Sequence, residues 1–342
     1  MMTRRQALVS LLGLVCSPVV GAAQMSGRTP SEAQARWFAF RERFVTADGR
    51  VIDTGNGGIA HTEGQGVAML AAATLKDEET FARLWTFTRS MQREDGLFSW
   101  KFVPGQGIAD RNNATDGDLY IAWALARAAE TFAHPEYRHE AVRIASAVRS
   151  LCLVKDPHGL VILPGVQGFD SPDGKTPVVV NPAYWIFPAL TACAALDPSG
   201  QWAECIRTGQ ELLGHAQFGR FQLPADWLLL SDPVQPWPAR PARFGYEAIR
   251  IPLFLFWSGQ LSNPCLQRFA AFARTPGFPA WIGFDNTSQA NYAAPAGFEA
   301  VARLARAAVF GQPVTVPDLD TDYFSASLTL LSALATNEVK IA

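Results

Sequence analysis

Apolar residues repeat at helical spacing along almost the whole chain, and this periodicity constrains the fold more than any other feature. Four early stripes have this spacing: Ala33, Trp37, Phe40 and Phe44; Phe81, Leu84, Trp85 and Thr88; Leu119, Ala122, Trp123 and Ala126; Tyr137, Ala141, Ile144, Val148 and Leu151. Further apolar helical stretches cover about 182–196, 201–216, 247–260, 264–274, 290–310 and 322–338. The pattern predicts roughly eleven helices, with Trp85 and Trp123 in the core.

Three helix starts carry a recognisable signal. Thr115 stands three residues before Asp118, the spacing of a capping box. Asp77 precedes two glutamates and is expected to cap the next helix. Pro182 follows Asn181, which predicts a helix opening at the proline.

Long Gly/Pro-rich loops at 94–114, 154–181 and 217–246 separate the helices, and each is too long for a plain connection. Short strands are expected within them at 159–163 and 178–180. Helices in consecutive pairs favour a closed ring of αα-hairpins whose inner helices run parallel. In such a ring the loops that precede the inner helices meet at one end and form a common cleft.

The first residues resemble an export signal. Arg4 and Arg5 precede an apolar run from Ala7 to Val15, and small residues at 21–23 supply a cleavage site. We therefore predict a signal peptide over 1–23 and a single catalytic domain over 24–342, in a protein that is secreted or periplasmic. The secretory and the twin-arginine routes both remain open.

Charge and cysteine content narrow the possible functions. The formal net charge is −2 and basic runs are absent, which argues against nucleic-acid binding. Four cysteines lie beyond the predicted signal peptide, namely Cys152, Cys193, Cys205 and Cys265. An even number permits disulfides, but most of the four lie in apolar helical patterns, which favours buried free thiols. No cysteine or histidine spacing fits a metal site, so no metal and no cofactor are expected.

Carboxylates appear in glycine-rich or polar segments where apolar helices begin. Glu63 lies in the glycine-rich segment 53–66, Asp116 follows the polar run 110–115, and Glu247 precedes another apolar helix. A ring of parallel inner helices would bring all three to the same rim. Paired carboxylates presented in this way are typical of glycoside hydrolysis.

Three blocks in this order resemble glycoside hydrolase family 8: Val51–Gly55 with His61–Gly66, Asp110–Leu119, and Phe244–Pro252. Within the family, the chain is similar to the secreted endo-β-1,4-glucanases associated with bacterial cellulose synthesis. The resemblance implies an all-α fold, an (α/α)6 barrel of helical hairpins with a few short strands in the long loops. It also implies an inverting mechanism, with one carboxyl group as acid and a second that activates water.

The same resemblance implies roles for the three acids. Glu63 corresponds to the general acid. Asp116 corresponds to the aspartate that binds the sugar at the cleavage subsite, and it is also an alternative base. Glu247 is the candidate base, although many members of the family have aspartate there. A helix N-terminus favours the ionised form of Glu63. A neighbouring carboxylate, for which Asp116 is the candidate, must therefore help Glu63 to keep a proton, together with the desolvation that aromatic walls provide.

Aromatic and polar side chains near the long loops are the candidates for substrate binding, because aromatic faces can stack on pyranose rings. We assign this role to Trp100, Asn113, Tyr184, Trp185, Tyr246 and Arg250. Trp237 is a further loop aromatic. His61 either lines the cleft or makes an ordinary loop hydrogen bond.

The sequence and the resemblance together predict an inverting endo-β-1,4-glucanase that acts on cellulose chains and is linked to cellulose biosynthesis. An association with the cellulose synthesis machinery and a monomeric state are expected. Two alternatives remain open. One is a non-hydrolytic glycan-binding or scaffold protein, and the other is a family 8 hydrolase acting on xylan, chitosan or mixed-linkage glucan.

Overall fold

A computed structural model describes residues 31–170, 176–198 and 200–340. The signal peptide predicted over 1–23 lies outside these residues. The described residues form eleven α-helices: α1 (Glu32–Phe44), α2 (Thr62–Thr74), α3 (Glu78–Arg89), α4 (Thr115–Phe132), α5 (Pro135–Cys152), α6 (Phe187–Leu196), α7 (Trp202–His215), α8 (Arg250–Trp257), α9 (Pro264–Phe272), α10 (Ala296–Phe310) and α11 (Tyr323–Glu338).

Six helices form a closed ring. Contacts lead from α2 to α4, α6, α8, α10 and α11 in turn, and α11 returns to α2. The other helices pack outside: α3 on α2, α5 on α4, α7 on α6, α9 on α8 and α10, and α1 on α11. The predicted (α/α)6 barrel of helical hairpins is confirmed.

Burial separates the inner helices from the outer ones. In α2 every residue from Val67 to Ala73 is buried, because an inner helix is surrounded by neighbours on all sides. In α3 burial is confined to one stripe, as expected for a helix with one face in water. Trp85 and Trp123 are 6% and 4% exposed, which confirms their place in the core.

Two glycines allow α2 and α4 to approach closely. A Cβ atom on Gly117 would lie 2.1 Å from the Thr62 hydroxyl oxygen, and one on Gly66 would lie 2.5 Å from the Tyr120 Cβ. Such distances leave no room for any larger residue. The contact brings the first turns of the two helices, which carry Glu63 and Asp116, side by side.

Short strands occupy the long loops, and they form four small sheets. The predicted strands at 159–163 and 178–180 are confirmed as β5 and β6. The strands of the described residues are β1 (Ala60–His61), β2 (Lys101–Val103), β3 (Gly107–Asp110), β4 (Leu153–Asp156), β5 (Gly159–Ile162), β6 (Val179–Val180), β7 (Leu228–Leu229), β8 (Gln235–Pro236), β9 (Arg243–Phe244) and β10 (Ile282–Gly283). The sheets are β1-β2-β3, β4-β5, β6-β7-β8 and β9-β10, and every pairing is antiparallel.

Two α-helices begin later than predicted, and a proline explains each. Pro182 opens a single 3₁₀ turn, and α6 begins only at Phe187, because Pro188 must lie in the first turn of a helix. The helix predicted over 290–310 begins at Ala296 for the same reason, with Pro295 as its N-cap.

The capping signals gave mixed results. Asp77 caps α3 as predicted and accepts from the Thr80 backbone N–H. The predicted capping box at Thr115 is wrong. Thr115 is already helical, and Asp118 instead accepts a hydrogen bond from the Phe98 backbone N–H at 3.0 Å.

All four cysteines of the described residues are buried and free, which confirms the prediction of thiols. No described helix is both long and apolar enough to cross a membrane.

Candidate active site

A cleft of about 850 Å³ opens where the inner helices begin. Glu63 and Asp116 are the second residues of α2 and α4, and Arg250 and Tyr323 are the first residues of α8 and α11. Six acids line the cleft: Asp53, Glu63, Asp110, Asp116, Glu247 and Asp322. Aromatic side chains form much of the remaining wall, among them Trp100, Phe169, Tyr184, Trp227, Tyr246 and Phe324.

Arg250 joins the three acids predicted to carry the chemistry. Its Nη1 donates to Glu63 Oε1 at 2.6 Å and to Asp116 Oδ2 at 3.1 Å, and its Nη2 donates to Glu247 Oε2. The guanidinium lies 5.8 Å from the centre of the Tyr184 ring. Burial alone would lower the pKa of Arg250, but the surrounding carboxylates raise it well above its usual value. The arginine is therefore a fixed positive charge.

The three carboxyl groups differ in their access to the cleft. The side chain of Glu247 is 33% exposed, that of Glu63 is 22% exposed, and that of Asp116 is only 4% exposed. Glu63 and Glu247 can therefore reach a bound molecule, whereas Asp116 offers little more than one edge.

One guanidinium cannot balance three buried or half-buried carboxylates. Burial, followed by the charge of Glu63, raises the pKa of Asp116 to about 7. The raised pKa of Asp116 favours a proton within this cluster, on the group next to Glu63. The neighbouring carboxylate that the sequence analysis required beside Glu63 is present.

His61 fixes the first turn of α2. Its Nδ1 accepts from the Gly64 backbone N–H at 3.1 Å, so its Nε2–H points to Asp53 Oδ2, 3.2 Å away. The imidazole also packs edge-on against Tyr323, with the ring centres 5.4 Å apart. His61 thus lines the cleft and also caps the helix that carries Glu63.

Asp226 holds the turn that carries Glu247. Its Oδ1 accepts from three backbone N–H groups, at 2.8 Å from Gly245, 3.2 Å from Glu247 and 3.0 Å from Ala248. Its Oδ2 accepts from Arg243 Nε at 3.2 Å. Burial raises the pKa of Asp226 to about 6. Asn181 completes this support, since its amide donates to Glu247 Oε2 at 2.9 Å.

Asn113 ties two loops to α4. Its amide nitrogen donates to Asp118 Oδ2 at 2.8 Å, and its oxygen accepts from the Val166 backbone N–H at 2.7 Å. The side chain of Asp118 is fully buried, and this burial raises its pKa to about 7.

Most residues assigned to substrate binding line the cleft, namely Trp100, Asn113, Tyr184, Tyr246 and Arg250. Their contact with sugar remains a prediction. The assignment of Trp185 is wrong. Its side chain is 2% exposed, its indole N–H donates to the Cys205 carbonyl, and its ring fills the space left by Gly209. Trp237 packs against Trp227, with the ring centres 5.9 Å apart.

Several residues of this site were not predicted from the sequence. Asp53, Trp227 and Tyr323 line the cleft, and Asp226 and Asn181 support Glu247. Asp53 and Tyr323 each stand next to a helix or 3₁₀ start, which is a usable signal. Asp226 carries none, because its partners lie 17 to 22 residues further along the chain. The described residues contain no group of three or more His, Cys, Asp or Glu arranged to hold a metal ion.

The family model for glycosyl hydrolases family 8 matches residues 5–338. The chain belongs to glycosyl hydrolases family 8. A relative from Novacetimonas hansenii, described as a probable endoglucanase, is 36% identical over 94% of this chain and 98% of its own length.

Solved structures of the family agree with the architecture. The endo-beta-1,4-glucanase CMCax from Acetobacter xylinum superposes with a TM-score of 0.84 at 36% identity, covering 90% of this chain and 98% of that one. The family 8 endoglucanase Cel10 from Klebsiella pneumoniae gives 0.82 at 37% identity, covering 89% and 99%.

Proposed function

We propose that this family 8 protein is an inverting endo-β-1,4-glucanase that hydrolyses internal bonds of cellulose chains. The observation that carries the proposal is the cluster of Glu63, Asp116 and Glu247 around Arg250 at the floor of an open cleft with aromatic walls. Relatives that match nearly the whole chain are described as endoglucanases, which supports the same activity.

In the proposed reaction, Glu63 donates its proton to the glycosidic oxygen as the bond from that oxygen to the anomeric carbon breaks. Glu247 removes a proton from a water molecule whose oxygen attacks the opposite face of that carbon. An inverting pair must stand roughly 6.5 to 9.5 Å apart to admit the water. Glu63 and Glu247 bond different nitrogens of Arg250, which keeps them on separate sides of the guanidinium.

Arg250 and Asp116 have supporting roles in this scheme. Arg250 holds both reacting carboxyl groups in place. Asp116 shares Arg250 Nη1 with Glu63. The exposed edge of Asp116 is available to a sugar hydroxyl at the cleavage subsite.

Glu63→Gln provides the test. Glutamine keeps the shape of the side chain but cannot donate a proton as an acid, so reducing-sugar release from carboxymethylcellulose should fall on the order of 10²- to 10⁴-fold. Glu79→Gln is the matched control, because Glu79 is also the second residue of a helix but is exposed on α3. It should retain full activity. Near-normal turnover by Glu63→Gln would remove Glu63 from the acid role.

One observation favours a second candidate function. The family commonly has aspartate at position 247, and the glutamate here is compatible with a non-hydrolytic glycan-binding protein that has kept the cleft. Purified wild type that binds cello-oligosaccharides yet releases no reducing sugar over hours would support this alternative. Turnover of xylan, chitosan or mixed-linkage glucan in preference to cellulose would redirect the substrate assignment.

We also propose that the enzyme works outside the cytoplasm, as a secreted or periplasmic monomer linked to cellulose production. The support is the export signal predicted over 1–23 and the resemblance to glucanases associated with bacterial cellulose synthesis. Cell fractionation of the full chain tests the location, and retention of the protein in the cytoplasmic fraction would contradict it. Co-purification with the cellulose synthesis machinery tests the association.

A further inference from the structure

Tyr292 is the most exposed large hydrophobic side chain in the described part of the chain. Only three large hydrophobic side chains among those residues are well exposed: Phe38 at 41%, Tyr292 at 50% and Phe310 at 43%. Arg41 lies 5.2 Å from the Phe38 ring centre and Arg274 lies 5.7 Å from that of Phe310. Tyr292 has neither a ring nor a cation against its face, again among the described residues.

This exposed ring stands beside the cleft. The hydroxyl of Tyr292 is 3.1 Å from the hydroxyl of Tyr246, which lines the cleft. The ring of Tyr246 packs against those of Phe298 and Phe324, with ring centres 5.1 and 5.8 Å away. The aromatic wall therefore continues outward from Tyr246 to Tyr292.

Backbone hydrogen bonds fix the position of Tyr292. Its neighbour Ala293 pairs with Pro279 in an antiparallel bridge, and the same hairpin contains β10. Strand β10 pairs with β9, which runs directly into the turn of Glu247. The ring is thus held at a set place relative to the reacting groups, and it need not be ordered at the moment of binding.

We infer that Tyr292 forms an outer binding site for a glucosyl unit of a β-1,4-glucan chain that extends beyond the cleft. A pyranose ring has an apolar C–H face, and tyrosine offers a large, stiff apolar surface for it. The inference rests on the proposed function for the identity of the ligand. In this role Tyr292 sets the preference for long chains and takes no part in bond cleavage.

The experiment compares Tyr292→Ala with Tyr292→Phe. The readout is the ratio of kcat/KM on cellohexaose to kcat/KM on the shortest cello-oligosaccharide that wild type cleaves. Tyr292→Ala removes the stacking face, so this ratio should fall several-fold, up to about tenfold. Tyr292→Phe keeps the face and should stay near wild type. Phe310→Ala, an exposed aromatic residue on the last turn of α10, is the matched control and should change nothing.

Three results would overturn the inference. Equal losses in Tyr292→Ala and Tyr292→Phe would mean that the hydroxyl contact to Tyr246 is what matters. Equal losses on short and long substrates would mean a structural effect, and an unchanged ratio in Tyr292→Ala would mean no contact with sugar. Failure of the proposed function looks different, since wild type would then cleave neither substrate. In that case the dissociation constant of cellohexaose is compared between wild type and Tyr292→Ala, and equal values overturn the inference.

Discussion

At the scale of single residues, Arg250 decides what the neighbouring acids can do. It is 4% exposed and bonds three carboxyl groups from three different segments. Removing one partner of such a buried set is costly, because the charge left behind loses its compensation. The arginine therefore fixes the position of each acid.

The longer side chain at position 247 leads to a graded prediction. Glu247→Gln cannot take a proton from water, so kcat on carboxymethylcellulose should fall on the order of 10²- to 10⁴-fold. Glu247→Asp withdraws the carboxylate by about 1.5 Å, one bond length, away from Asn181 and Arg250. A misplacement of this size should lower kcat roughly 10- to 100-fold.

The control for this series is Glu211→Gln, since Glu211 is exposed on the outer helix α7 and is not among the residues that line the cleft. It should keep wild-type kinetics. If Glu247→Gln keeps a normal kcat while Asp116→Asn loses it, Asp116 is the base and the assignment of Glu247 is wrong.

At the scale of helices and turns, the close contact of α2 and α4 sets the distance between Glu63 and Asp116. A methyl group on Gly117 would meet the Thr62 hydroxyl oxygen at 2.1 Å and the Glu63 backbone nitrogen at 2.9 Å. These atoms belong to the first turn of α2, where Thr62 is fully buried. The glycine is therefore required by packing and by the site together.

Gly117→Ala should lower the free energy of unfolding by about 1–3 kcal/mol, as overpacking of a core does, and should also lower kcat by displacing Glu63. Gly214→Ala is the matched control, because a Cβ on this glycine of α7 would meet no atom within 4 Å. It should raise stability by about 0.4–1 kcal/mol. Denaturant titration and turnover of carboxymethylcellulose measure both effects. A Gly117→Ala protein as stable and active as wild type would contradict the packing argument.

Helix periodicity predicted the ring well because an outer helix buries one face whereas an inner helix is buried on all sides, and burial leaves a mark on the sequence. Local signals did less well where a distant partner competes for the same side chain. Asp118 has the spacing of a capping box but bonds Phe98 across a loop. Trp185 adjoins Tyr184 in the sequence, yet Gly209 on α7 leaves a slot that takes the indole into the core. Neither outcome can be deduced from neighbours in the chain.

At the scale of the whole molecule, buried carboxyl groups make stability depend on pH. Burial raises the pKa of Asp116 and Asp118 to about 7 and that of Asp226 to about 6. Between pH 4 and 7 the folded state therefore holds more protons than the unfolded chain, so stability falls as the pH rises through this window. His61 acts in the same direction. Burial opposes its charged form, but Asp53 raises its pKa overall, and that stabilisation is also lost as the pH rises.

The midpoint of thermal unfolding should accordingly be higher at pH 5 than at pH 8. Asp118→Asn removes one of the titrating groups, at a site away from the exposed edges of the reacting carboxyl groups. The unfolding midpoint of this variant should therefore fall less than that of wild type between pH 5 and pH 8. Differential scanning calorimetry at the two pH values measures both slopes. A variant whose midpoint falls as steeply as that of wild type would show that Asp118 does not titrate in this range.

The convergence of distant segments was predictable in outline and not in detail. The meeting of Glu63, Asp116 and Glu247 at one rim was predictable, because parallel inner helices all begin at the same end of the ring. Arg250 was predicted as a substrate-binding residue, whereas in the structure it joins all three acids. That arrangement depends on three-dimensional distances between α2, α4 and α8, which no local pattern encodes.

The most direct test of the central claim is the configuration of the first sugar released. Proton NMR recorded during cleavage of cellohexaose, before the anomers equilibrate, distinguishes the two reaction courses. If Glu63 and Glu247 act as acid and base on opposite faces of the sugar, the new reducing end appears as the α-anomer. Initial release of the β-anomer would mean a covalent intermediate on a carboxylate, and it would contradict the account given for this cluster.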